Sequence, residues 1–423
     1  MPTMNAEPDA YAQRMAETGA KARVAAAVLA QASAATRDAA LRAAAAALRA
    51  ASREILEENA RDIREFSGSP AFTDRLMLSQ ARVEAMACGL EDVANLPDPL
   101  GHTLAEWTRP NGLVMRRVPQ PLGVLGMIYE SRPNVGADAA AIAIKSGNAI
   151  LLRGGSESFH SAAAIHQAVA AGLRAAGLPE DVVQMAPTTD RGFVAAMLTA
   201  NGLIDLLIPR GGKALVERVK REARVPVLSH AEGMNHTYIH AAADFAMARS
   251  ILANAKMRRT GICGATETLL LDRAIAASLL PELVFDLSSL GCAFRADDRA
   301  RAILPTLPAA GLTDFDTEWL DAVLNIAIVD GPDDALAHIA AHGSEHTDAI
   351  ITQDEAVAND FLRRLSSAVG MWNTSTQFCD GGEFGFGAEI GIATGRIHAR
   401  GPIGPEQLTT FRYIVRGTGQ VRP

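Results

Sequence analysis

The chain has 423 residues, 48% of them apolar and 21% charged, with a net charge of −8. That length leaves room for two or three domains with sizeable cores, and the acidic balance excludes a general affinity for nucleic acid. The four cysteines, Cys88, Cys263, Cys292 and Cys379, form no C-x-x-C pair, which argues against a zinc knuckle or a disulfide framework. The start, Met1–Met15, is polar and mixed in charge, and no apolar stretch approaches the ~18 residues of a membrane span. The expectation is a cytoplasmic protein without a membrane partner.

In chain order, residues 9–66 are Ala-rich with helical spacing of Leu41, Ala45, Leu48 and Ile55, and Thr36 with Asp38 marks a helix start. Ser79 caps a further predicted helix running to about Asn95, and Pro97–Gly101 breaks the pattern. Residues 104–118 read as a hairpin turning at Asn111-Gly112. Lying between two α/β-like regions, it is expected to project and pair with another subunit. From Pro121 the rhythm alternates. Strands are predicted at Leu122–Tyr129, Ala149–Leu152, Val182–Met185, Leu203–Ile208 and Val225–Leu228, with helices between them. Such alternation gives a parallel, doubly wound sheet.

A second α/β region follows Gly233. Strands are predicted at Thr237–His240, Glu267–Asp272, Ala322–Val329, Asp348–Thr352 and Ala368–Trp372. Helices are predicted at Asp244–Met257 and Arg273–Leu290, the latter restarting at Pro281. The Gly-rich tail from Asp380 to Gly404 is expected to be irregular. Thr409–Val415 is a last strand, placed to pair with the 104–118 hairpin.

No strand is followed by G-x-G-x-x-G, and no G-x-x-x-x-G-K-[ST] loop exists. The turns that remain are Arg153-Gly154-Gly155 and Arg210-Gly211-Gly212, each opening a helix. Glycine allows close backbone approach to a phosphate, a helix N-terminus attracts anions, and arginine adds charge-assisted bonds. The plain reading is an ordinary βα turn. His236 and His240 are four apart on a strand with no carboxylate at metal spacing, so no metal is expected. Cys263 follows a basic helix end carrying Lys256, Arg258 and Arg259. Cations favour the thiolate, yet the plainer reading of a cysteine there is a small buried hydrophobe. His398-Ala399-Arg400-Gly401-Pro402 is either an anion-binding element or a solvated loop.

Six ordered motifs carry a family resemblance. They are Tyr129–Val135, Lys145–Gly155, Leu207–Gly212, the Cys263 stretch, Asp380–Ile390 and His398–Pro402. Together they resemble the γ-glutamyl phosphate reductases (glutamate-5-semialdehyde dehydrogenases) of the aldehyde dehydrogenase superfamily. The resemblance implies an aldehyde-dehydrogenase-like α/β fold: two doubly wound α/β domains plus a small β oligomerisation element. Residues 1–103 and 119–232 would bind NADPH, 104–118 and 400–423 would form the oligomerisation hairpin and strand, and 233–399 would be catalytic. It further implies NADPH-dependent reduction of L-glutamyl 5-phosphate to glutamate 5-semialdehyde and phosphate, a step of proline biosynthesis, through a Cys263 thioester.

By the same resemblance Asn134 shares the oxyanion with the Cys263 N–H, with Arg132 as its rival. Arg153, Gly154, Gly211 and Gly212 bind the cofactor, Arg153 on a ribose 2′-phosphate. Arg132, His236, Asn373, Thr376, His398 and Arg400 are the implied substrate contacts. His230, with Glu232 nearby, stands where hydrolytic relatives carry a water-activating Glu, which favours phosphate over water as the acyl acceptor. The chain departs from the family pattern at Gly264, Thr260 and Asn235. A homo-oligomer, dimer or tetramer, and a glutamate kinase partner are implied as well. The alternatives are an acylating aldehyde dehydrogenase on another acyl phosphate or thioester, and a non-catalytic relative acting as a binding partner.

Overall fold

The structure is a computed structural model that describes residues 8–67, 70–130, 132–228 and 232–422. It divides into two compact units, residues 1–229 with 385–391 and 403–423, and residues 230–384 with 392–402. Residues 385–391 therefore cluster with the first unit, away from the 233–399 stretch to which the sequence reading gave them.

The first unit begins with five helices: α1 (Pro8–Leu29), α2 (Ala34–Ala50), α3 (Ser52–Glu65), α4 (Pro70–Leu76) and α5 (Gln80–Asn95). Ser33, not Thr36, caps α2, its hydroxyl accepting the Thr36 N–H at 3.1 Å. Ser79 caps α5 as its sequence suggests. The Ala-rich run of α2 buries Ala40, Leu41, Ala44, Ala45 and Leu48 on one stripe, the face that an amphipathic helix turns to its core.

Next comes the hairpin β1 (Ala105–Thr108) and β2 (Val114–Pro121), turning through Gly112 at φ +85°. The C-terminal strand Thr409–Arg416 pairs antiparallel with β2, Thr409 opposite Pro121 and Arg416 opposite Val114. This three-stranded sheet leaves Trp107, Phe411, Tyr413 and Val415 exposed. Trp107 meets Tyr413 edge-on at 6.0 Å, and Arg117 lies over Phe411 at 5.0 Å.

The chain then alternates through β3 (Val124–Tyr129), α6 (Val135–Lys145), β4 (Ala149–Arg153), α7 (Phe159–Ala175), β5 (Val183–Met185), α8 (Arg191–Leu198), β6 (Leu206–Arg210) and α9 (Lys213–Glu222). The four strands are parallel in the order β5-β4-β3-β6. Every residue of β3 is buried, as its unbroken apolar run requires of a strand covered on both faces. Strand order reverses across β3 and β6, the position at which open α/β sheets bind ligands. The predicted strand Val225–Leu228 is reduced to one bridge between Val227 and Leu207. Pro226 lacks the N–H that a longer ladder would need.

The second unit runs β7 (Asn235–Ile239), α10 (Phe245–Met257), β8 (Thr266–Asp272), α11 (Arg273–Ser289), β9 (Ala293–Ala296), α12 (Asp298–Ile303), β10 (Val323–Val329), α13 (Pro332–His342), β11 (Thr347–Ile351), α14 (Glu355–Arg364) and β12 (Val369–Trp372). Its parallel sheet has the order β12-β11-β7-β8-β10-β9. The two-residue strands β13 (Ile392–Ala393) and β14 (Gly401–Pro402) pair antiparallel within the tail. Helix α11 does not restart at Pro281. Ala276, Leu279, Leu280, Leu283 and Leu287 seat it on the core with Leu269, Leu271, Leu324 and Ile326, and that packing carries the helix past the missing hydrogen bond.

Candidate active site

In the second unit Cys263 lies on the loop between α10 and β8, half-buried and unpaired by disulfide. Its apolar neighbours include Ala349, Met371, Cys379 and Ile392. Two side-chain amides fix the loop. Asn235, fully buried on β7, donates to the carbonyls of Cys263 at 2.6 Å and Ala265 at 3.0 Å, and accepts the Thr347 N–H at 3.2 Å. Gln377 donates to the Asn254 and Ala255 carbonyls at 3.0 and 2.9 Å and accepts from Arg258 at 3.3 Å. Those carbonyls belong to the last turn of α10, whose exposed oxygens form a partly negative end. Gln377 thus damps a field that would oppose a thiolate a few residues on. Gly233 is required here, because a Cβ would stand 2.1 Å from the Cys263 oxygen. Gly264 is buried against the backbone, where a Cβ would sit 3.4 Å from the Thr376 oxygen, an ordinary contact.

The charges differ from expectation. Lys256 is fully buried and pairs with Glu267 at 2.7 Å, so its charge is matched locally and is not spent on Cys263. Burial pushes the Glu267 carboxyl up to about 7, against the opposing pull of Lys256. Arg258 and Arg259 are the exposed cations of the segment. Cys292 is raised by burial to about 11, the state of an inert structural thiol.

Several expected substrate contacts make hydrogen bonds within the fold. His236 is fully buried, its Nδ1 2.8 Å from Asp348, whose same oxygen accepts the His236 backbone N–H at 2.8 Å. It serves the sheet interior, since a side chain on a central strand of a covered sheet has no route to solvent. Thr376 is buried, its hydroxyl 3.0 Å from that of Thr266, which lies 2.7 Å from that of Thr237. Asn373, at φ +54°, exchanges two 2.9 Å bonds with the Thr352 backbone and locks the ends of β11 and β12. Arg400 is held by the Thr394 carbonyl at 3.0 Å and by Glu345 at 3.3 Å, and Arg396 reaches the same Glu345 at 2.8 Å. His398 is exposed on the loop between β13 and β14.

In the first unit Asn134 stands at the start of α6, half-buried, donating to Asp138 at 3.0 Å. Burial raises the Asp138 carboxyl, while Asn134 and Arg210 oppose the shift. Arg132 is exposed, its N–H on the Glu130 carbonyl at 2.7 Å. Arg153 closes β4, its terminal nitrogens donating to the carbonyls of Gly154 at 2.7 Å and Thr189 at 2.6 Å. Its Nε is buried without a partner, and burial lowers the guanidinium from its ordinary value. At the end of β6 the Gly212 N–H donates to the carboxylate of Glu130 at 2.9 Å. Gly211 makes room for that carboxylate, where a Cβ would fall 2.5 Å from it.

Sequence reasoning did not single out Gln377 or Glu130 and saw in Asn235 only a departure from pattern. Glu130 carried a usable signal, directly following a buried strand beside a Gly-Gly turn. The long-range clasp of Gln377 on α10 carried none. His230 lies outside the described residues. Among the described residues, no group of His, Cys, Asp or Glu is arranged to hold a metal ion, and no helix is long and apolar enough to cross a membrane.

The aldehyde dehydrogenase family matches residues 3–301. The chain is 70% identical over 403 residues to a γ-glutamyl phosphate reductase of Acidiphilium cryptum, covering 95% of this chain and 96% of that one. It is 58% identical to the corresponding protein of Rhodospirillum rubrum, with coverage of 97% and 96%. Among solved structures, a γ-glutamyl phosphate reductase from Thermotoga maritima superposes with a TM-score of 0.95 at 39% identity, covering 97% of this chain and all of that one. The chain belongs to the aldehyde dehydrogenase family and, within it, groups with the γ-glutamyl phosphate reductases.

Proposed function

We propose that this chain reduces L-glutamyl 5-phosphate to glutamate 5-semialdehyde and phosphate, a step of proline biosynthesis, with NADPH as reductant and Cys263 as nucleophile. The observation that carries the reading is its likeness, at 70% identity over 95% of its length, to a γ-glutamyl phosphate reductase. The fixed, half-buried thiol of Cys263 supplies the chemistry. In the reaction the thiolate bonds to the acyl carbon, the C–O bond to phosphate breaks, and phosphate leaves with the electron pair. The Cys263 thioester accepts a hydride at its carbonyl carbon. The resulting oxyanion then re-forms its C=O bond and expels the thiolate, releasing the aldehyde.

Both stages develop negative charge on one oxygen, so fixed N–H donors are needed. The Cys263 backbone N–H is one, oriented by the bonds that Asn235 makes to the loop carbonyls. Asn134 keeps a second amide N–H beyond the one that Asp138 uses.

The first unit suits a nicotinamide cofactor on three counts: the cradle at Gly211, the Gly212 N–H already donating to a carboxylate, and the partnerless Nε of Arg153. When bound, the cofactor supplies the hydride. Arg153 and Gly154 would hold a ribose phosphate, and Gly211 with Gly212 the pyrophosphate. The exposed aromatic face of Trp107, Phe411 and Tyr413 is proposed as a homo-oligomer contact. A kinase that makes the labile acyl phosphate is the proposed partner.

The reverse reaction tests the reading. Glutamate semialdehyde with NADP should yield NADPH only when phosphate or arsenate is present. Oxidation that ignores phosphate would mark a hydrolytic enzyme, and turnover of another acyl phosphate or a thioester in preference would favour the acylating alternative.

A further inference from the structure

We propose that Glu130 is a cofactor-site residue: its carboxylate holds the phosphate seat at the start of α9 in the free chain and is displaced when a cofactor phosphate arrives. This rests on the cofactor reading above.

Helix α9 has no anion of its own. Its N-cap is Gly212, without a side chain, and no acidic residue lies in its first turn, where Lys213 comes first. The open N–H groups and positive end of such a helix draw an anion from outside. The structure shows which one. Glu130 follows directly on β3, its N–H donating to the Arg210 carbonyl at 3.1 Å. Its Oε2 accepts the Gly212 N–H at 2.9 Å, and its carboxylate fills the space that Gly211 leaves by lacking a Cβ.

Position makes the contact more than a cap. Tyr129 and Arg210 are register partners where β3 and β6 run side by side. In the order β5-β4-β3-β6 these are the strands between which the winding reverses. The crevice beyond their carboxyl ends is where sheets of this kind take ligands, with a phosphate on the helix that follows. Glu130 therefore occupies an N–H that a phosphate arriving at this helix end would use, and its charge opposes that phosphate. The side chain is exposed, so it can rotate into solvent without opening the core. Gly211 then has a role in each state, since a side chain there would exclude carboxylate and phosphate alike.

The test is direct binding to the full-length protein, followed by NADPH fluorescence. Glu130→Gln and Glu130→Ala should both bind NADPH more tightly than the native chain, by roughly tenfold, the worth of one charge-assisted hydrogen bond that no longer has to be broken. Inorganic pyrophosphate alone, which carries no nicotinamide, should also bind both variants roughly tenfold more tightly, as titration calorimetry without NADPH reads directly. Both should keep the native fold by circular dichroism and unfold at a slightly lower temperature when free, since the carboxylate no longer caps α9. Unchanged or weakened affinity in the variants, with NADPH binding to the native chain intact, overturns the role given to Glu130 and leaves the proposed function standing. Failure of the native chain to bind NADPH or NADH overturns both.

Discussion

The side-chain amide of Asn235 lies 2.6 Å from the carbonyl oxygen of Cys263 and 3.0 Å from that of Ala265. One buried residue thus sets the backbone on both sides of the Gly264 peptide, and with it the direction of the Cys263 N–H. Asn235→Ala should lower kcat about 10- to 100-fold while KM stays near native, because an oxyanion donor is misaimed without loss of a substrate contact. Gln377→Ala should do the same more mildly. Alkylation of Cys263 by iodoacetamide across pH provides a readout that a purely structural role would not move. The variants should require higher pH for the same rate.

His236 belongs to the interior. His236→Ala leaves Asp348 with the Ser367 hydroxyl and a backbone N–H but without its imidazole. A loss of about 2 kcal/mol or more in stability is expected for leaving a buried carboxylate one hydrogen bond short and a void where the ring stood. KM for the substrate should not change in the protein that remains folded. Denaturant unfolding beside steady-state kinetics separates the two effects.

Glu267 gives a pH signature. Burial raises its carboxyl from 4.5 to about 7, so the folded chain binds this proton more tightly than the unfolded one. The contribution is fully present below pH 4.5 and fades as pH rises through 7. Unfolding midpoints of the native protein should therefore fall across that window by an amount that Glu267→Gln lacks. Identical profiles for the two proteins would contradict the assignment.

Arg153 bears on cofactor choice. Its guanidinium keeps a partnerless Nε and further N–H groups beyond the two backbone bonds it makes. Arg153→Ala should raise KM for NADPH by about 10- to 100-fold, the loss of one or two charge-assisted bonds, and leave NADH nearly unaffected. Comparing the two cofactors in one assay checks it.

Much of this was legible in the sequence, and the parts that were not share a cause. Periodicity located β3 and the alternation around it, because a strand covered on both faces reads as a nearly continuous apolar run; β8 showed itself only through Leu269–Leu271, its buried Thr266, Glu267 and Thr268 being polar. The partnership of the C-terminal strand with the hairpin could be read from its alternating aromatics. Pro226 showed its effect only once a neighbour needed its N–H. The chemical residue types were also visible, but their use was not. Lys256 looked like a cation for Cys263 until Glu267 was found 2.7 Å away. His236 and Thr376 looked polar and available until burial closed them off. Hydrogen bonds spanning 28 residues from Asn235 to Cys263, or 123 from Gln377 to Asn254, have no local pattern to betray them.

The central claim is that Cys263 carries an acyl group which passes to phosphate or hydride and not to water. Rapid mixing of the protein with glutamate semialdehyde and NADP, phosphate omitted, measures this directly. The expected result is a burst of NADPH that then stalls, with the γ-glutamyl group found on Cys263 by mass spectrometry of the quenched protein, and turnover resuming when phosphate is added. Steady NADPH formation without phosphate, or a burst that leaves Cys263 unmodified, would contradict it.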